Sequence, residues 1–227
     1  MDSGITIVIP VYNGAVHLAE TISSALAQTL RPSSIIVVDD GSSDGTSQVA
    51  LQFGGEVRCI RQDHAGISKA RNTGVAHTET DYLAFMDGDD LWASDKLALQ
   101  MAELQRAAGP AMIFGHTTQF ASPELSPEEI AALKFDPNPM PAITASALLM
   151  RKSDFLIAGS FDETLQTGEF IEWYARARDR GLASLVLSDV LVRRRLHRHN
   201  HGRRRVDARA DYARALKSVL DRRRKVD

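Results

Sequence analysis

Four short apolar runs constrain the fold of this chain most. ITIVIPVY (5–12), SIIVVDD (34–40), EVRCI (56–60) and YLAFMD (82–87) are rich in β-branched and apolar residues without clean polar alternation. Strands covered on both faces read this way. The segments between them have helical spacing: Val16, Ala19, Ile22, Leu26 and Thr29 form one stripe over 15–29, with shorter helices at 46–53 and 66–77, and Leu97, Met101 and Leu104 mark 95–107. Strand and helix in alternation predict an α/β fold with a mostly parallel sheet and right-handed crossovers.

A Pro-rich run, SPELSPEEIAALKFDPNPMP (122–141), breaks that pattern. Within it Ser126-Pro127 and an acidic first turn predict a short helix over 127–134. An apolar ASALLM (145–150), helices near 152–158 and 168–181, a strand over 184–196 and a last helix over 206–224 complete the expected order. The organisation predicted is a first half at 1–115, a second half of the same domain at 116–202, and a basic C-terminal helix at 203–227.

Charge is unevenly placed. Residues 193–227 hold 14 Lys+Arg against 4 Asp, which is +10, and leave −12 on residues 1–192. Such a segment can be a solvated terminus, can meet an anionic membrane surface or an acidic partner, or can pack on the acidic body. Tyr212 is its one aromatic residue, so stacking on nucleic acid is not expected. An apolar stripe of Tyr212, Ala215, Leu216, Val219 and Leu220 could dock on the chain's own core or on a second copy in a homodimer. No run reaches the ~18 apolar residues of a membrane span, and MDSGITIVIP lacks the basic flank and cleavage site of a signal peptide; a cytoplasmic protein is expected. The single Cys59 cannot form an internal disulfide and reads as a small core residue.

In open α/β sheets ligands bind beyond the carboxyl ends of the strands. Polar groups stand at three of those ends: Pro10-Val-Tyr12-Asn13, Asp39-Asp40-Gly-Ser42, and Asp87-Gly-Asp89-Asp90. A crevice holding an aromatic ring, an amide and several carboxylates suits a base, a ribose and a metal-bound diphosphate, which makes Pro10, Tyr12 and Asn13 candidates for nucleotide contact. Gly88 permits a sharp turn that presents one of Asp87 and Asp89 to a ribose hydroxyl and the other to Mg²⁺ or Mn²⁺. Asp89 or Asp90 could instead cap the helix starting near Ser94.

These residues resemble family 2 glycosyltransferases of the GT-A, nucleotide-diphospho-sugar transferase type. TIVIPVYNG (6–14), IIVVDDGSSDGT (35–46), DHAGISKARNTG (63–74), YLAFMDGDDLW (82–92), GSFDETL (159–165) and GEFIEWYARARDRG (168–181) carry the resemblance in the family's order. It implies a Rossmann-like three-layer sandwich with a mostly parallel central sheet. It also implies a nucleoside diphosphate sugar as donor, expected to be a UDP-sugar, and transfer to a peptide, lipid-carrier or saccharide hydroxyl, most often with inversion. By position, Tyr12 would stack on the nucleobase, Asp40 would hold its polar edge, Arg71 would face the base or phosphates, Asp87 would lie at the ribose, and Asp89 would be the metal ligand.

The chain departs from the family where the general base is expected. The usual Gly-Glu-Asp reads Gly168-Glu169-Phe170 here, with Trp173 and Arg176 in register. Phe170 cannot accept a proton; Glu169 at the helix start is the expected catalytic base, and Glu172 lies one turn later on roughly the same face. His197, His199 and His201 would share one face of a strand and could bind zinc. The resemblance instead places His197 near the metal or diphosphate and leaves the other two in a basic loop. A haloacid dehalogenase-like phosphatase would carry its DxD after the first strand, not the fourth, and a sugar nucleotidyltransferase would show a Gly-rich loop in place of PVYNGAVHL. The other reading kept is a nucleotide-sugar-binding protein impaired in catalysis at Phe170 and acting through its basic tail.

Overall fold

The computed structural model describes residues 3–133, 136–165, 167–198, Asn200 and Lys217. The four apolar runs form β1 (Ile5–Val11), β2 (Ser34–Asp39), β3 (Val57–Arg61) and β4 (Tyr82–Phe85), all parallel. All seven residues of β1 are buried, which explains their lack of alternation: both faces of a central strand are covered. Helices α1 (Ala15–Leu26), α2 (Thr46–Leu51) and α3 (Ile67–Ala76) make the crossovers. With right-handed connections, α1 and α2 step outward on one face, and α3, which returns from β3 to β4, lies on the other. The strand order 3-2-1-4 therefore reverses direction between β1 and β4.

Then follow β5 (Leu91–Trp92), α4 (Lys96–Arg106), β6 (Ala111–Ala121), α5 (Pro127–Ala132), β7 (Met140–Ala142), β8 (Leu149–Arg151), α6 (Lys152–Ala158), α7 (Glu169–Asp179) and β9 (Ala183–Leu196). One sheet runs β3-β2-β1-β4-β8-β6-β9-β5, with β7 paired to β6. The sheet is mixed: β8 is antiparallel to both neighbours, whereas β6 and β9 are parallel along a long ladder. The α/β expectation holds. The boundary expected at 115/116 falls inside β6, where the ladder to β9 shifts register between Phe114 and His116. One core serves both halves, from Ile7 and Phe85 to Phe114, Met150 and Trp173.

Two strands are not legible in the sequence. Nothing in the period of 111–121 marks a strand, because GHTTQ (115–119) is polar; its pairing with β9 decides it. ASALLM splits into a 3-10 turn at Ala145–Ala147 followed by β8. Helix α5 starts as expected, with a capping box between Ser126 and Glu129 and Pro127 in its first turn. The helix expected at 206–224 and two of the three alternating histidines, His199 and His201, lie outside the described residues. No helix among the described residues is long and apolar enough to cross a membrane.

Helix α3 lies close on β1 because Gly74 faces it; a Cβ there would sit 2.2 Å from Val8 Cγ1. Val8 has no exposed area into which to move. Gly74→Ala is therefore expected to destabilise the fold by about 1–3 kcal/mol despite the better helix former. Urea unfolding checks this, and Val8→Ala in the same chain should recover most of the loss.

Candidate active site

The reversal between β1 and β4 opens a crevice at their carboxyl ends, and the polar strand ends converge on it. After β1 the chain turns through Asn13, whose φ of 51° is left-handed, a conformation Asn tolerates among non-glycine residues. The amide then stitches two loops together: Asn13 Oδ1 accepts from Ser43 N–H at 2.9 Å, and Asn13 N–H donates to Ser42 Oγ at 2.8 Å. Pro10 stays within β1, in register with Val38. Tyr12 is 40 % exposed, a large ring offered to the crevice. Its inner face stacks on His64, with centroids 4.0 Å apart and planes at 24°. His64 is not among the expected site residues; an imidazole two residues before Gly66, past the third parallel strand, is the available signal.

Asp39 and Asp40 are both buried and both committed to their loops. Asp40 accepts from the N–H groups of Ala65 (3.0 Å) and Gly66 (2.8 Å) and from Gln62 Nε2 (2.7 Å), with His64 Nδ1 2.8 Å away. Its carboxylate thus shapes the loop carrying His64, beside Tyr12, where the resemblance has it facing a base. For Asp39, burial alone would raise the carboxyl's pKa. Hydrogen bonds from Ser42 and Ser47 and the charge of Arg61 overcome that and hold it below the ordinary value.

The three acids beyond β4 have three different solutions. Asp87 Oδ1 accepts from Arg71 Nη2 at 3.0 Å. Asp89 Oδ2 lies 2.8 Å from His197 Nε2 and 3.2 Å from Asn200 Nδ2; burial works against its charge, yet His197 keeps its pKa lowered. Asp90 faces inward and accepts from Arg195 N–H at 3.2 Å. Burial first, then the charges of Asp89 and Asp87, push its carboxyl well above the usual range. Neither Asp89 nor Asp90 caps α4, whose N-cap is Asp95. Arg195 spans the group, donating from Nε to the Asp89 carbonyl at 2.9 Å and from Nη2 to Glu20 at 2.5 Å.

The Asp89 carboxylate is a donor that a hard divalent ion takes, and the His197 imidazole is a softer one. Two cis ligands about 2.1 Å from an octahedral ion stand about 3.0 Å apart, close to the observed separation of Asp89 Oδ2 and His197 Nε2. Among the described residues no group of three or more His, Cys, Asp or Glu could hold a metal unaided, so phosphate oxygens and water would complete the shell. His17, also absent from the sequence candidates, packs its ring 4.8 Å from that of His197. Burial and the neighbouring Arg195 and His197 lower its pKa.

On the other side of Asp87, Arg71 Nη1 donates to Glu169 Oε1 at 2.6 Å. Glu169 opens α7 behind Gly168, whose φ is 74°. Glu172, the other candidate, is paired with Arg176 at 3.0 Å. Phe170 is only 8 % exposed and packs with Phe114, Phe161, Trp173 and Tyr174. The position at which the resemblance implies an aspartate is thus part of the core.

Parallel strands ending in carboxylates around a reversal of strand order define an α/β protein with its ligand site at the switch point. The chain belongs to glycosyl transferase family 2, whose model matches residues 6–155. It is 30% identical over 209 residues to an uncharacterized glycosyltransferase of Rickettsia typhi, covering 85% of this chain and 64% of that protein. It is 34% identical over 103 residues to Escherichia coli WfgD, named a UDP-Glc:alpha-D-GlcNAc-diphosphoundecaprenol beta-1,3-glucosyltransferase, with 44% of this chain and 41% of WfgD covered. The crystal structure of S. aureus TarS 1–349 in complex with UDP-GlcNAc shares the fold, with a TM-score of 0.74 at 15% identity, over 96% of this chain and 65% of that one. The chain thus spans about two thirds of the length of the Rickettsia typhi relative.

Asp39 gives the site's loops a dependence on acid. Its folded pKa lies below the unfolded value, so its contribution to stability is present above about pH 4 and is lost as pH falls through the folded value. Asp39→Asn should lower stability at neutral pH and flatten the fall in stability below about pH 4. Urea midpoints between neutral and acid pH measure both effects.

Proposed function

We propose that this chain transfers a sugar from a UDP-sugar to an acceptor hydroxyl, with inversion and with Mn²⁺ or Mg²⁺ at Asp89 and His197. The observation that carries the reading is the row of charged groups at the switch point: Asp89 against His197 on one side, and Asp87, Arg71 and Glu169 in continuous contact on the other. The TarS complex with UDP-GlcNAc and the name of WfgD support UDP as the nucleotide carrier.

In this reading the nucleobase stacks on the exposed face of Tyr12, with Pro10 and Asn13 shaping the turn beneath it, and Asp87 meets the ribose. Asp89 and His197 would hold the divalent ion, which would supply positive charge to the leaving diphosphate. The acceptor oxygen attacks the anomeric carbon, the bond to the nucleoside diphosphate breaks, and the acceptor proton passes to Glu169. Oε1 of that carboxylate is held by Arg71, while Oε2 has no hydrogen bond among the described residues and is not sealed from solvent. The basic segment at 193–225 favours an acidic or membrane-held acceptor.

Burial of Phe170 in the aromatic core favours a second reading, a nucleotide-sugar-binding protein without turnover. Glu169→Gln separates the two: loss of UDP release from UDP-GlcNAc or UDP-Glc, with UDP still bound, marks a base. Absence of turnover in the unmodified chain marks the binding protein. The prior test is calorimetric titration of UDP and other nucleoside diphosphates with and without Mn²⁺. The expected result is Mn²⁺-dependent binding of UDP, weakened at least about tenfold, or about 1.4 kcal/mol, in Asp89→Asn. Failure of every nucleotide to bind the folded protein would overturn the assignment.

A further inference from the structure

Arg71 stands on α3 in the first half of the chain, and one of its two carboxylate partners stands on α7, 98 residues away. It is 3 % exposed. Nη1 donates to Glu169 at 2.6 Å and Nη2 to Asp87 at 3.0 Å. Its Nε is buried without a hydrogen-bond partner, and the Phe161 ring lies 5.5 Å from the guanidinium carbon. The same helix fixes that ring: Asn72 Nδ2 donates to the Phe161 carbonyl and Asn72 Oδ1 accepts its N–H, each at 3.0 Å. The guanidinium is held with its whole charge divided between two acids, one in each half of the crevice.

We propose that Arg71 is a positioning residue that couples donor binding at Asp87 to the placement of Glu169. The inference rests on the transferase reading, in which Asp87 meets the donor and Glu169 takes the acceptor proton. Two carboxylates share one buried cation, so each limits how strongly Arg71 holds the other. A donor that engages Asp87 leaves more of the guanidinium's charge to Glu169 and fixes that carboxylate when it is needed. Linkage makes the effect reciprocal: whatever happens at Glu169 must alter donor affinity by the same factor. A planar fork holds two carboxylates in one fixed geometry through its two Nη groups, whereas the rotatable donors of a lysine ammonium do not fix that geometry.

The test is a double-mutant cycle read by calorimetry with UDP and Mn²⁺, on the full chain. Glu169→Gln leaves the undivided charge of Arg71 on Asp87, so UDP affinity should fall by about fivefold or more. In an Arg71→Met background the same change should alter affinity by less than about twofold. Where Arg71→Met does not fold, Arg71→Lys replaces it, and the effect of Glu169→Gln should shrink in that background. A purely structural role for Arg71 would lower stability without making the two effects on affinity interdependent. Equal effects of Glu169→Gln in both backgrounds would overturn the coupling, as would tighter UDP binding on removal of the Glu169 charge in the unaltered Arg71 background. No UDP binding by the unmodified chain would instead bring down the transferase reading itself.

Discussion

Three carboxylates stand within four residues at the end of β4, and like charges so close cannot all remain ionised in a partly buried place without cations beside them. Much of the second half of the chain is disposed around that requirement. Arg71 meets Asp87, His197 and Asn200 meet Asp89, and Asp90 turns inward to the backbone of Arg195, where its carboxyl titrates well above the ordinary range. The partners come from α3 and from the far end of β9, so the site exists only when the first and last described parts of the chain are brought together.

The sheet makes that meeting possible. The parallel block β3-β2-β1-β4 reverses direction at its centre, and β8, antiparallel to both neighbours, joins it to the long β6–β9 pair. β9 then runs past β5 and delivers Arg195 and His197 to the acids beyond β4. Tight approaches hold the layers in place. Gly74 lets α3 lie on Val8, and Gly115 does the same for Leu191 across the β6–β9 pair, where a Cβ would come within 2.4 Å.

Membership of glycosyl transferase family 2 and the TarS-like fold agree with this geometry, and the start of α7 is dominated by aromatic packing. Phe170 shares its core with Phe114, Phe161, Trp173 and Tyr174, and Phe155 stacks on Trp173 at 5.4 Å. An ionised carboxylate in that setting would cost several kcal/mol without a partner. An aromatic side chain suits that position, and the carboxylate that stands at the crevice is Glu169, met there by Arg71.

The sequence by itself determined the α/β class, the parallel strands and the strand ends that carry the polar groups. Continuous apolar runs, helical stripes and turn residues are local signals, and in this chain they agree with the fold. It also pointed to Tyr12, Asp87, Asp89, Glu169 and His197, since those stand in motifs of fixed spacing. What only the tertiary structure decided is which charge meets which. β6 is a strand because β9 lies beside it, Asp40 is spent on the 62–66 loop, Arg71 faces two acids, and His64 and His17 pack against Tyr12 and His197. Pairings between residues far apart in the chain, such as Glu20 with Arg195 at a separation of 175, leave no period or spacing in the sequence, because they depend on the order in which the strands lie in the sheet.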